Sequence, residues 1–286
     1  MTNGDDNKTF YLEKLNLVKE YINNHLDEKI SIETLAELSC FSPYHFHRIS
    51  RALLNEPIGS YINRIRLETA SKLMLYGKQS MEQIAYSVGF DRPSSLSKAF
   101  KKQYGISPTE FKNGKSYLKK PHDMETTTLN IKKPKLVHVE DKNCIYTSLN
   151  GAYQTLDYAG AWGKLWQEVK AQKLFTAGIE HVGQSFDDPA VTDAEKIRYD
   201  ACLVIHKDAK PNGDIGVKTL KGGKFMMFHY TGSYSKFAEV YDYIFNTWLL
   251  NSDYKLRDEA PREVYRNNPE RTEESKLKTE IWVPVE

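Results

Sequence analysis

Two stretches near the start of the chain repeat one pattern of apolar and polar positions. Ser31-Ile-Glu-Thr-Leu-Ala-Glu-Leu-Ser-Cys-Phe41 and Ser80-Met-Glu-Gln-Ile-Ala-Tyr-Ser-Val-Gly-Phe90 match in Ser, Glu, Ala and Phe, 49 residues apart. Each opens on Ser with Glu two residues later, carries apolar residues at helical spacing and then breaks, which predicts a short capped helix and a turn. A second helix is predicted after each, over 42–54 and 91–104, where a capping residue precedes an early Pro. Phe46, Ile49 and Leu53 make the inward stripe of the first, and Leu96, Ala99, Phe100 and Gln103 that of the second. Tyr44, His45, His47, Arg48 and Arg51 are left outward or flanking on one, and Ser94, Ser95, Ser97, Lys98, Lys101 and Lys102 on the other. Both segments read as helix–turn–helix units. Between them, Tyr61, Ile62, Ile65, Ala70, Leu73 and Met74 give a two-sided apolar pattern, so this helix packs against both units at once. At 1.5 Å per residue it spans about 27 Å, enough to hold two recognition helices near the roughly 34 Å repeat of DNA.

Beyond 128 the pattern turns to short alternating strands, again in duplicate. Ile145–Tyr153 and Met226–Tyr234 both end in Gly-x-Tyr, 81 residues apart. A helical stretch follows each, through Trp162, Leu165, Trp166 and Val169 and through Val240, Ile244, Phe245 and Trp248. Closing strands at 199–205 and 279–285 complete the halves. A groove between two like halves is a common ligand site. On the last strand, period-two alternation sets Ile281, Val283 and Val285 against the helices and brings Glu280 and Trp282 together on the other face. A carboxylate beside an indole suits a bulky cation. Phe228 and Tyr230 alternate similarly on their own strand. The expected organisation is an all-α double helix–turn–helix domain over 9–115, a linker over 116–125 and a duplicated α+β domain over 126–286.

Charge sharpens the division. Residues 42–115 carry 12 Lys and Arg against 5 Asp and Glu, while 119–286 carry 24 against 25. A basic helical segment beside a neutral one points to a polyanion-binding module joined to something else. The three cysteines, Cys40, Cys144 and Cys202, are odd in number and far apart, which argues against disulfides or a zinc knuckle and predicts three reduced core residues. His45 and His47, two apart on a helix, point in different directions and cannot chelate one metal. No apolar run approaches the roughly 18 residues of a membrane span and the first residues are polar and acidic, so a cytoplasmic protein with no membrane contact is expected. No Ser–His–Asp arrangement, phosphate loop or metal cluster stands out, and neither an enzyme nor a cofactor is expected.

Arg66-x-x-x-Ala70-x-x-Leu73, Ile84-Ala85-x-x-x-Gly89-Phe90 and Leu96-x-x-x-Phe100-Lys-Lys-x-x-Gly105-Ile-Ser-Pro108-x-x-Phe111 resemble the signature of AraC/XylS-type transcription regulators. The resemblance implies base-reading positions at Tyr44, His47 and Arg48 on the first recognition helix and at Pro93, Ser94, Ser95 and Lys98 on the second, with Arg51, Lys101 and Lys102 beside them. Arg48 is the strongest direct reader, because Arg bonds a guanine edge at two points; Pro93 has no N–H to donate. The Gly-x-Tyr repeats, Glu263-Val-Tyr-x-x-Asn-Pro269 and Thr279–Val285 resemble the GyrI-like (SHS2-type) effector-binding domain. That family binds small molecules, often lipophilic or cationic, between its halves; its acidic pocket position looks like Glu280, with Glu263 second. Together the resemblances imply a regulator whose partners are double-stranded promoter DNA, a small-molecule effector and RNA polymerase. The alternative is a GyrI-like hydrolase fused to a DNA-binding domain, in which Glu280 would activate water.

Overall fold

A computed structural model describes residues 3–77, 79–113, 129–189, 191–257 and 259–286, the side chains of 3–7 and 250 excepted. The expected linker, 116–125, lies outside the described residues. Two compact units divide them: the helices up to Asn113, with Asn212–Gly216 counted alongside, and the strands and helices from 129 onward.

The first unit is seven helices: α1 (Asn3–Asn24), α2 (Ile32–Leu38), α3 (Pro43–Leu54), α4 (Ile58–Tyr76), α5 (Met81–Ser87), α6 (Pro93–Tyr104) and α7 (Pro108–Asn113). Ser31 caps α2 by accepting the Thr34 N–H at 3.0 Å, Ser42 caps α3 through the His45 N–H, and Ser80 and Gln83 cap α5 reciprocally. Unlike these, α6 starts at Pro93 with Arg92 as its cap and no capping side chain; Asp91 stands one residue too early. The α1 helix, which the repeats do not announce, adds Leu15, Val18 and Ile22 to the buried set at three- and four-residue spacing. On α3, Phe46 and Ser50 are buried while Ile49 and Leu53 are half-buried. On α6, Leu96 and Phe100 are buried, Gln103 is exposed, and Tyr104 takes the inward place, its ring 4.5 Å from Phe100. The inward rows thus advance by four, 46–50–54 and 96–100–104, which corrects the stripe read through Gln103.

Both helix–turn–helix turns need a left-handed residue at the same repeat position. Gly89 (φ 76) fills it in the second unit and Cys40 (φ 60) in the first. Cys40 is therefore an exposed turn residue and not a core one; Cys144 and Cys202 are buried as expected.

The second unit contains β1 (Lys135–Val139), β2 (Lys142–Asn150), α8 (Tyr158–Ala171), β3 (Glu180–Ser185), β4 (Arg198–Val204), β5 (Ile215–Leu220), β6 (Gly223–Thr231), α9 (Phe237–Asp242, continued by a π-helix Tyr243–Trp248), β7 (Arg262–Tyr265) and β8 (Lys278–Pro284). The strands form one sheet in the order β1-β6-β8-β7-β3-β4-β2-β5. Its two halves, β2-α8-β3-β4 and β6-α9-β7-β8, mirror each other about the antiparallel β3–β7 pair, where Gly183 faces Glu263. Those two residues are 80 apart, the spacing that relates the closing strands, so repeat-equivalent positions meet at the pseudo-twofold axis. One face of the sheet carries α9: Met226, Phe228, Tyr230, Ile281, Val283 and Val285 pack with Val240 and Ile244.

Candidate DNA-reading helices and effector cleft

Helix α3 presents Tyr44, His47, Arg48 and Arg51, all exposed and spaced three or four apart along one face. Tyr44 is 73% exposed. The Arg48 guanidinium lies along the Tyr44 ring, 5.8 Å from its centre, with Nη1 donating to the phenol oxygen at 3.4 Å. The two side chains are thus presented together on the exposed face of the helix. On α6, Ser94, Ser95, Lys98, Lys101 and Lys102 are exposed, and Pro93 is half-buried. Neither helix carries an acidic residue. The turn behind α3 is held by Arg64, which bonds Glu56 at 2.7 Å and Glu68 at 3.2 Å in a largely buried triad.

In the second unit the chemistry gathers where the halves meet, on the helix-bearing face. Glu263 is buried. Its Oε1 accepts from the Tyr241 hydroxyl at 2.8 Å and from Ser185 Oγ at 2.9 Å, and its Oε2 accepts from the Tyr265 hydroxyl at 2.5 Å. Burial raises its carboxyl above the ordinary carboxylate value, against the pull of these three hydrogen bonds. The phenols are raised too: Tyr199, Tyr241 and Tyr265 by burial and then by the Glu263 charge, and Tyr234 to about 12 for the same reasons. They stay neutral, and Tyr241 and Tyr265 serve as donors to Glu263. Tyr199 and Tyr265 share a hydrogen bond of 3.0 Å. Tyr153 and Tyr158 face Tyr199 edge-on, Tyr234 lies 5.4 Å from Tyr265, and Trp162 covers both Tyr265 and His181. His181 accepts from the Trp166 Nε1–H at 3.0 Å and burial lowers its pKa, so it is a neutral wall residue. Gly183 must be glycine, since a Cβ would stand 2.2 Å from the Tyr199 hydroxyl. The Tyr234 hydroxyl is buried without a hydrogen-bond partner. A buried carboxyl bonded by hydroxyls inside an aromatic wall, with no cation paired to it among the described residues, is a candidate partner for a cation.

The five residues expected in one cleft are not brought together. Register pairs Phe228 and Glu263 each with Ile281, so they share a face, but Phe228 and Tyr230 belong to the core under α9. The Tyr230 hydroxyl donates to the Ser233 carbonyl. Glu280 and Trp282 do sit side by side, with the Trp282 Nε1–H donating to Glu280 at 3.1 Å, but on the opposite face of the sheet. There Arg266 bonds Glu280 at 2.6 Å and Glu180 at 3.0 Å, and Lys142 bonds Glu180 while lying 5.6 Å over the Trp282 ring. The cation expected from outside is supplied by the chain itself. Tyr241, Tyr265 and Ser185 escaped the sequence reading, although both Gly-x-Tyr motifs deliver their tyrosines, Tyr153 and Tyr234, to the cluster around Glu263.

Residues 132–286, more than half of the chain, match the GyrI-like small molecule binding domain, and residues 35–114 match a helix-turn-helix domain. The chain belongs to the GyrI-like family and carries an AraC-type helix–turn–helix domain ahead of it. It is similar to the bifunctional transcriptional activator/DNA repair enzyme AdaA of Bacillus subtilis, 31% identical over 100 residues that cover 35% of this chain and 47% of that one. It is also similar to the HTH-type transcriptional activator AarP of Providencia stuartii, 30% identical over 92 residues, 32% of this chain and 68% of AarP. The chain spans less than half the length of the first curated relatives it matches. A cryo-EM structure of an EcmrR–DNA complex matches over 90% of this chain and 99% of that one, at 13% identity and a TM-score of 0.49.

Proposed function

We propose that the protein is a cytoplasmic transcription regulator that reads two successive major-groove segments of promoter DNA with α3 and α6 and senses a lipophilic cation in the Glu263 cleft. The observation that carries the sensing half is the buried Glu263 carboxylate, bonded to Tyr241, Tyr265 and Ser185 and walled by aromatic rings. The reading half is supported by the two outward faces, basic or hydroxylic throughout, with Tyr44, His47 and Arg48 as base readers on α3 and Ser94, Ser95 and Lys98 on α6. Arg51, Lys101 and Lys102 are assigned to phosphates. RNA polymerase is the partner through which such a protein acts on transcription. Sensing is favoured over hydrolysis because both Glu263 oxygens already accept hydroxyl hydrogens, which occupy the positions from which the carboxylate would take a proton from water. Isothermal calorimetry with benzyltributylammonium and a size-matched neutral amide, followed by DNA binding with the cation present, tests the proposal. Expected is cation binding that is lost in Glu263→Gln and that changes promoter affinity. Equal binding of cation and neutral analogue in wild type would overturn the cleft assignment, and promoter affinity indifferent to bound cation would overturn the sensing role.

A further inference from the structure

Each helix–turn–helix unit has its own hydrophobic core, and α4 is the element that contributes to both. Ile58, Tyr61, Ile62 and Ile65 enter the first, and Leu67, Ala70, Leu73 and Met74 the second. Two bodies strung on one helix are free to rock about it unless something else joins them. Arg66 sits at the changeover between these two sets. Its Nη2 donates to the Glu28 carbonyl at 2.6 Å, in the segment leading into α2. The same Nη2 lies against Gly89 in the turn between α5 and α6, where a Cβ would stand 2.5 Å from it and 2.2 Å from the Leu26 carbonyl oxygen. Asp27 of the first helix–turn–helix unit and Asp91 of the second both act on its charge. One guanidinium is thus pressed between the entrance of the first unit and the turn of the second, on neither reading face.

We infer that Arg66 is a positioning residue that locks the two reading units at one separation and one rotation, and thereby sets the half-site spacing the protein accepts. The inference rests on the DNA-reading proposal. One inserted base pair moves a half-site by about 3.4 Å and turns it by about 34°. A locked pair then meets the second half-site with one helix out of its groove, whereas a loosened pair follows the shift at the expense of affinity for the natural spacing.

The test uses full-length protein and a duplex selected by the wild type from a random library. Variants of that duplex have one base pair inserted or deleted between the half-sites, and a further duplex keeps one half-site only. Wild type is expected to lose about tenfold or more per base pair of wrong spacing, the scale of a misplaced base contact, and Arg66→Gln about threefold or less. Base preferences within each half-site and affinity for the single half-site stay unchanged in the variant, which also shows that each unit is folded. Arg66→Lys, which keeps the charge and one donor to Glu28, falls between the two and carries the comparison should the Gln variant fail to fold. A spacing penalty in either variant equal to that of wild type overturns the inference and leaves the regulator reading intact. A wild-type chain that selects no two-part site overturns both.

Discussion

Glu263 and Glu280 are both carboxylates on central strands of one sheet, and their neighbours give them opposite fates. Glu280 is neutralised by Arg266, whereas Glu263 is bonded only by hydroxyls. Glu263→Gln is therefore expected to weaken a lipophilic cation by about 1–3 kcal/mol while sparing a neutral analogue, and Glu280→Gln to change neither, as calorimetry on both variants will report. The same burial gives a pH dependence. The Glu263 carboxyl is raised above its unfolded value, so its contribution to stability is fully present below the unfolded pKa and is lost as pH rises through the folded one. Cation binding has the opposite slope: it tightens across that window, because it needs the ionised form, and releases a proton. Calorimetry in buffers of different ionisation enthalpy measures the released proton, and Glu263→Gln abolishes it. Cys40 offers a simpler test. An L residue at φ 60 is strained, so Cys40→Gly is expected to stabilise the protein by about 0.5–1 kcal/mol in thermal unfolding. Gly89→Ala, at the equivalent turn, destabilises by about 2 kcal/mol or more, since its Cβ also meets the Leu26 carbonyl.

At the scale of the element, α3 and α6 share a frame and differ in what they carry. Helix α3 bears planar and aromatic side chains, with Arg48 laid along Tyr44, and α6 bears short hydroxyls and flexible ammonium groups. Arg48→Ala is expected to weaken a selected site by about 1–3 kcal/mol and to relax preference at one base pair. Lys101→Ala and Lys102→Ala should weaken all duplexes alike, and each should reduce the salt slope by about one. Mobility-shift titrations at several salt concentrations on matched and mismatched sites separate the two behaviours. An Arg48→Ala protein with unchanged base preference removes α3 from direct readout. Most of this frame was legible beforehand, because caps and inward rows obey a period of three to four residues. What escaped was local register: Tyr104 rather than Gln103 faces inward, and Arg92 rather than Asp91 precedes α6.

For the whole molecule, the proposed cation sensing is a coupling between two binding events and has a thermodynamic signature. A cation that changes DNA affinity by some factor must have its own affinity changed by DNA by that same factor. Calorimetry of the cation with free protein and with the protein–duplex complex checks the equality. Identical cation affinity in the two, together with altered promoter affinity, would violate linkage and show that the cation acts elsewhere. A ligand that binds both states alike, however tightly, changes nothing on DNA.

The sequence by itself determined what depends on neighbours along the chain: two helix–turn–helix units, a long helix serving both, a duplicated strand–helix–strand module and the two faces of its last strand. Helical and extended periods sort side chains inward and outward without knowledge of what lies opposite. Tertiary structure alone decided what lies opposite. Alternation along β8 put Glu280 beside Trp282, but only the paired strands reveal that Arg266 fills the space a ligand cation would take. The cluster around Glu263 draws Ser185, Tyr199, Tyr241 and Tyr265 from three strands and a helix, and no spacing in the sequence predicts that convergence. Arg66 was visible as a motif residue, yet its contact with Glu28, 38 residues away, comes from the packing of two units on one helix. Charges and hydroxyls act across space at a few ångströms, and the chain distance between them carries no information about that separation until the fold closes it.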